Sequence, residues 1–220
     1  MRQTAKGGST IDTFSRLSRA GIIPVVALEH AEDAVPTAKA LLAGGIDVME
    51  ITFRTGAAAA AIKAVAEGCP EMLVGAGTVV SIAQCQEATA MGAGFLVSPG
   101  FSEDIVRWGL AGGLPVIPGC VTPTEIMAAQ RLGLQVVKFF PAGVYGGLAA
   151  MKALAGPFGG MKFIPTGGVN AENLPQYAAA PFVYAVGGSW ICTRKDIAGG
   201  NFERITALCA EAVRLWRQAK

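Results

Sequence analysis

The feature that most constrains this chain is an alternation. From about Gly21 onward, short runs rich in β-branched and aromatic residues recur at 22–28, 48–52, 73–76, 95–98, 115–119, 136–139, 163–166 and 183–187. Segments with helical periodicity lie between them, at 31–43, 57–66, 81–91, 102–111, 124–132 and 147–154, several opened by a Ser or Thr able to cap free amides. A helix between two strands returns the chain so that the next strand runs parallel, and repeated βα units therefore predict an α/β fold on a parallel sheet. Eight such runs predict a single (β/α)8 TIM barrel; an open, doubly wound sheet is the alternative, because periodicity counts units without showing closure. The terminal residues Phe202, Ile205, Leu208, Cys209, Ala212, Leu215 and Trp216 follow spacings of three and four, predicting an amphipathic last helix that covers the barrel.

With 220 residues, 52% hydrophobic and 15% charged, the chain can bury one sizeable core, and a single domain over 1–220 is expected. A polar, glycine-bearing arm over 1–10 precedes it, and the sequence leaves its order open. The net charge of +2 comes from dispersed Lys and Arg, which excludes a phosphate-tracking basic run and so a nucleic-acid partner. Arg2 and Lys6 are followed by Gly and Ser rather than an apolar signal core, and no apolar run approaches the roughly 20 residues of a spanning helix. A soluble, cytoplasmic protein without membrane contact is expected. Cys69, Cys85, Cys120, Cys192 and Cys209 form an odd set without a CxxC pair, predicting reduced thiols rather than disulfides or a zinc knuckle. The only histidine, His30, reads as a loop residue. One histidine cannot build a multi-histidine zinc site, no acidic cluster offers a magnesium site, and nucleotide-binding glycine motifs are missing, so no metal and no cofactor is expected. Trp108, Trp190 and Trp216 read as packing residues.

In such barrels the working residues come from the C-terminal ends of the strands and the loops beyond them. Lys138, between Val137 and Phe139, would be largely desolvated; burial disfavours its ammonium form and favours the free amine that Schiff-base chemistry needs. A lysine snorkelling to water or paired with a carboxylate is the other reading of that run. Strand alternation puts Glu50, Thr52 and Arg54 on one side, where Glu50 could move protons and Arg54 could clamp a carboxylate. An ion pair between Glu50 and Arg54 at the rim is the alternative. The turn Pro165-Thr166-Gly167-Gly168-Val169 can bring backbone amides close to an anion, and phosphate is the natural guest. Gly187-Gly188-Ser189 is its companion, since barrels often bind phosphate between the loops after strands seven and eight. Each glycine pair alone also fits an ordinary tight turn.

Taken in order, Gly21-Ile22-Ile23-Pro24-Val25-Val26, Glu50-Ile51-Thr52-Phe53-Arg54, Gly75-Ala76-Gly77-Thr78-Val79, Ser98-Pro99-Gly100, the run from Pro118 to Glu125, Lys138-Phe139-Phe140-Pro141-Ala142 and the Thr166 turn resemble the 2-keto-3-deoxy-6-phosphogluconate (KDPG) aldolase family. That family includes members acting on 4-hydroxy-2-oxoglutarate (KHG). The resemblance runs from about Ile22 to Trp190. It implies a homotrimeric barrel and a class I aldolase cleaving a keto-acid substrate, KDPG, to pyruvate and glyceraldehyde 3-phosphate. Lys138 would form the imine and Glu50 would move the protons. Arg54 and Thr78 would hold the carboxylate, Pro99 and Phe140 would line the pocket, and Thr166, Gly167, Gly168 and Ser189 would receive the phosphate. The alternatives are a preference for KHG or for the 6-phosphogalactonate epimer and, from another class, a non-catalytic sugar-phosphate-binding barrel. Two departures from the family pattern are the longer N-terminal arm and the Arg194-Lys195-Asp196 segment.

Overall fold

The computed structural model describes residues 10–220, and their side chains from 12 onward. Residues 1–9, most of the polar arm, lie outside the described residues. Eight strands follow in order: β1 Ile22–Val26, β2 Val48–Thr52, β3 Leu73–Gly77, β4 Leu96–Val97, β5 Val116–Ile117, β6 Val136–Phe139, β7 Lys162–Pro165 and β8 Val186–Gly188. Helix α1 (Thr10–Ala20) precedes them. After β1 to β7 come α2 (Ala34–Ala43), α3 (Ala58–Gly68), α4 (Ile82–Ala90), α5 (Glu103–Ala111), α6 (Pro123–Arg131), α7 (Gly147–Ala155) and α8 (Leu174–Ala179). After β8 come α9 (Arg194–Ala198) and α10 (Phe202–Ala219).

Closure decides between the two architectures. One parallel sheet runs β5-β4-β3-β2-β1-β8, and β6 pairs with β7. Single bridges join the two sheets. Lys138 N donates to Pro118 O and Cys120 N donates to Lys138 O, both at 2.9 Å, tying β6 to the end of β5. Phe163 bridges Val183 and Thr166 bridges Gly187, tying β7 to β8. Every strand thus has two neighbours, and the chain forms a closed (β/α)8 barrel rather than an open sheet.

Strands β4 and β5 are shorter than the apolar runs that announce them. Their flanks bond singly: Ala76 N donates to Phe95 O and Gly119 N donates to Ser98 O, each at 3.0 Å. The capping anticipated from Ser and Thr is formed at α4, is made at α6 by Thr122 rather than Thr124, and is not made by the Ser102 side chain at α5. Ser81 accepts from Gln84 N, and Thr122 with Glu125 forms a reciprocal capping box with Pro123 in the first turn. Among the described residues no helix is long and apolar enough to cross a membrane.

Helix α1 was not anticipated from the sequence. It closes the barrel at the end away from the strand C-termini. Leu17 is fully buried, and Tyr184 Oη donates to Phe14 O at 2.8 Å. Arg16 donates to Asp47 O at 2.9 Å and to Glu71 O at 2.7 Å, and pairs with the Asp47 carboxylate at 3.2 Å. Asp47 and Glu71 stand just before β2 and β3, so α1 is clamped across the strand entrances.

The core contains the fully buried rings of Phe95, Phe139 and Phe163, each contributing up to about 3 kcal/mol of transfer free energy. Phe139 and Phe163, on adjacent strands, meet edge to face with centroids 6.1 Å apart. All five cysteines are buried and free. Burial pushes the Cys120 thiol up to about 12, with a smaller push from the Glu125 carboxylate, and burial alone pushes Cys209 to about 12.

These thiols hold their protons in the folded state while unfolded thiols release theirs near pH 9. Between pH 9 and about 12 the native state therefore binds more protons than the unfolded one, and stability falls as pH rises. Each thiol should contribute a slope of about 1.4 kcal/mol per pH unit in that window, and nothing below it. Urea midpoints at pH 8 and 10.5 should therefore drop further for the native sequence than for a Cys120→Val/Cys209→Ala variant. Equal drops would remove the thiols as the cause.

Candidate active site

Strands β2 and β6 stand four apart in either direction around a ring of eight, so they face each other across the barrel. A contact between them can only run through its interior. Lys138 Nζ on β6 lies 3.4 Å from Glu50 Oε1 on β2, with 5% of Lys138 and 3% of Glu50 exposed. Among the described residues, Lys138 is the only buried lysine. By strand alternation its neighbours Val137 and Phe139 turn outward beneath the helices. Glu50 has room because β3 contributes glycine: a Cβ on Gly77 would coincide with the Glu50 carboxyl, and one on Gly75 would meet the Phe95 ring. Strand β3 is thus hollowed for the side chains of its neighbours, as the stacked interior of a barrel requires.

Glu50 pairs with Lys138, and among the described residues no ion pair involves Arg54. The rim pairing of Glu50 with Arg54 is therefore not formed. The alternation argument also stops short of Arg54, because β2 ends at Thr52 and the following turn places the arginine. That turn leaves Arg54 exposed. It is joined to β3, where Phe53 N donates to Gly77 O at 2.7 Å. Thr78, next along from Gly77, has a φ of 59°, a left-handed backbone that costs a non-glycine residue on the order of 1 kcal/mol and is concentrated at functional sites.

Phe140 lies against the pair, and Pro99 is connected to it only through the backbone of Gly119. The Lys138 ammonium lies 5.1 Å from the centroid of the Phe140 ring, which is partly exposed at the barrel mouth. Pro99 follows Ser98, whose carbonyl receives Gly119 N, and Gly119 is the residue bridged to Lys138.

The turn after β7 is joined to β8 by the Thr166–Gly187 bridge, and Thr166 is buried where a Cβ on Gly187 would otherwise sit. Gly167 and Gly168 have φ of 83° and 89°, which side-chain-bearing residues rarely adopt. Gly168 is also crowded: a Cβ there would stand 3.1 Å from Gly143 Cα. The loop after β6 is sewn to this turn, with Ala142 N donating to Thr166 O at 2.8 Å and Gly143 N to Gly167 O at 2.9 Å. Ser189 follows β8 directly and is exposed. His30 is an exposed residue of the loop after β1.

The KDPG and KHG aldolase family model matches residues 13–208. The chain belongs to this aldolase family. Its relatives include the 2-dehydro-3-deoxy-phosphogluconate aldolase of Treponema pallidum, 49% identical over 93% of this chain and 98% of that protein. The KHG/KDPG aldolase of Escherichia coli is 44% identical over 90% of this chain and 93% of that protein. A crystal structure of KDPG aldolase from Legionella pneumophila, with pyruvate captured at low pH as a covalent carbinolamine intermediate, superposes with a TM-score of 0.87. It is 40% identical over 90% of this chain and 96% of that one.

Within this aldolase, several residues around the site were not singled out from the sequence. Asn173 Nδ2 donates to Gly168 O at 2.8 Å, and its Oδ1 accepts from Asn170 N at 2.9 Å, bracing the glycine turn from the start of α8. Two asparagines three apart before Leu174-Pro175 were the available signal. Thr55 Oγ1 donates to Leu28 O, joining the loop that carries Arg54 to the loop after β1. Nothing in the local pattern marks that contact, which spans 27 positions.

Proposed function

We propose that this aldolase is a class I lyase that cleaves KDPG to pyruvate and glyceraldehyde 3-phosphate through an imine on Lys138. The observation that carries the reading is the buried Lys138–Glu50 pair inside the barrel. An amine nucleophile needs a base to take its proton, and Glu50 stands 3.4 Å away with almost no competing water. The Lys138 amine adds to the ketone carbon, and the carbinolamine loses water to give a protonated imine. The C4 hydroxyl then gives its proton to Glu50 as the C3–C4 bond breaks. The bonding pair moves into the imine, leaving an enamine and free aldehyde. Glu50 returns the proton to C3, and water hydrolyses the new imine to pyruvate and free Lys138.

In this reading Arg54 and Thr78 hold the carboxylate, Pro99 and Phe140 wall the pocket, and Thr166, Gly167, Gly168 and Ser189 receive the phosphate. The glycine turn after β7, bridged to β8 just before Ser189, supports the phosphorylated acid over KHG, which lacks a phosphate. A homotrimer in the cytoplasm belongs to the same proposal. Exposed Val80, Met127 and Val144 are apolar surface that a subunit contact could cover, and light scattering reads the assembly directly.

The test is pyruvate release, coupled to lactate dehydrogenase, from KDPG, its galactonate epimer and KHG. KDPG should have the highest kcat/KM. Ser189→Ala should lower that value by about tenfold, the loss of one hydrogen bond to a charged group, and leave KHG cleavage unchanged. Gly168 is the poorer probe, because any side chain there strains the backbone and presses on Gly143. No pyruvate from any of the three acids would overturn the activity; equal losses on KDPG and KHG would overturn the phosphate assignment.

A further inference from the structure

The segment carrying Arg54 is anchored on one side to β3 and on the other to the loop after β1, and the second anchor is a side chain. Past the end of the β1–β2 ladder, hydroxyl groups take over from backbone amides. Thr52 Oγ1 donates to Val26 O at 3.2 Å, and Thr55 Oγ1 donates to Leu28 O. On the other side Phe53 N donates to Gly77 O at 2.7 Å, and Arg54 N closes a tight turn on Thr52 O at 2.8 Å. Arg54 therefore sits between a residue fixed to β3 and a residue fixed to the loop after β1. An exposed arginine on a free loop would have to be ordered by each substrate it met, at an entropic cost that preorganisation removes.

We infer that Thr55 is a positioning residue for the substrate carboxylate, holding the Arg54 turn against the loop after β1 through the hydroxyl that reaches Leu28 O. The inference rests on the reading of Arg54 as the carboxylate's partner. Its substrate class is the 2-keto acid end common to every candidate substrate, and it is independent of the phosphate.

The experiment measures proton exchange at the methyl group of pyruvate by NMR, because pyruvate has the carboxylate and the ketone and no phosphate. Thr55→Val keeps the shape and removes the donor. It should raise the KM for pyruvate about tenfold while the saturated exchange rate stays within about twofold, a split expected of a displaced clamp rather than of damaged chemistry. Thr55→Ser should restore the KM. Arg54→Ala should raise the KM at least as far, and Thr55→Val added to it should raise it no further.

A wild-type KM in Thr55→Val beside a raised KM in Arg54→Ala overturns the inference, as does full additivity of the two changes. A wild-type KM in Arg54→Ala instead overturns the carboxylate reading of Arg54 itself. Should Thr55→Val fail to fold, Thr55→Ala takes its place: a raised KM with a wild-type melting temperature supports the positioning role, and a lowered melting temperature with a wild-type KM refutes it.

Discussion

Replacing Lys138 should abolish pyruvate release, with a loss of about 10⁴-fold or more in kcat, because no other group inside the barrel can form the covalent intermediate. Two variants separate chemistry from electrostatics. Lys138→Met removes both the amine and the positive charge beside Glu50, whereas Lys138→Arg keeps the charge on a guanidinium that is not deprotonated in proteins. Both should be inactive. Partial recovery in Lys138→Arg would mean that the charge, not an imine, sustains the reaction. Borohydride with pyruvate supplies the direct reading. It should fix a single adduct on Lys138, the lysine that solvent reaches least among the described residues, and leave the exposed Lys39, Lys63, Lys152 and Lys195 unlabelled. An adduct on any of those four would displace Lys138 from its role.

Single replacements of either member of the buried pair should each destabilise the barrel by about 3–5 kcal/mol, and the double replacement should lose far less. The reason is an asymmetry in solvation. In Lys138→Met the Glu50 carboxylate is left in an interior where it is 3% exposed and has no opposite charge at 3.4 Å; in Glu50→Gln the same holds for the ammonium. Removing both charges removes the debt of both desolvations, as for other buried ion pairs. Urea denaturation of the two single variants and of Lys138→Met/Glu50→Gln should thus give a coupling energy of several kcal/mol, against the few tenths expected of independent sites. Additive losses would mean that water reaches the pair. The same measurement explains why an interior pair persists: it serves the reaction at the expense of stability.

The barrel was legible because its signal is repetitive. Each strand run recurs with the same relation to the helix after it, and the runs at 48–52 and 136–139 match β2 and β6 residue for residue. Lys138 was legible for a related reason, since a charge in an apolar strand is a local anomaly. Its contact with Glu50 spans 88 positions, however, and no periodicity encodes which strands face each other. Helix α1 escaped because its sequence, Thr10 to Ala20, is rich in Ser and Thr and continues a polar arm, so its start has no contrast with what precedes it. Helix α8, six residues long, is too short to establish a period. The alternation argument for Arg54 ends where β2 ends; beyond it, hydrogen bonds from Phe53 to the end of β3 and from Thr55 to the loop after β1 place the segment, and neither is written in a period.

The glycines that make room in the barrel also determine which sequence changes can be accepted together. Gly77 tolerates no larger residue while Glu50 is present, and Gly187 none while Thr166 occupies the space beside it. A position-by-position mutational scan should therefore score Gly77 and Gly187 as immutable, each for a reason written on a neighbouring strand. Libraries that vary Gly77 with Glu50, or Gly187 with Thr166, explore volume exchanges that no single substitution can reach. In the second pair such an exchange would reshape the junction of β7 and β8 and leave Lys138 where it is, so new shapes of this scaffold are more accessible through paired codons than through any one of them.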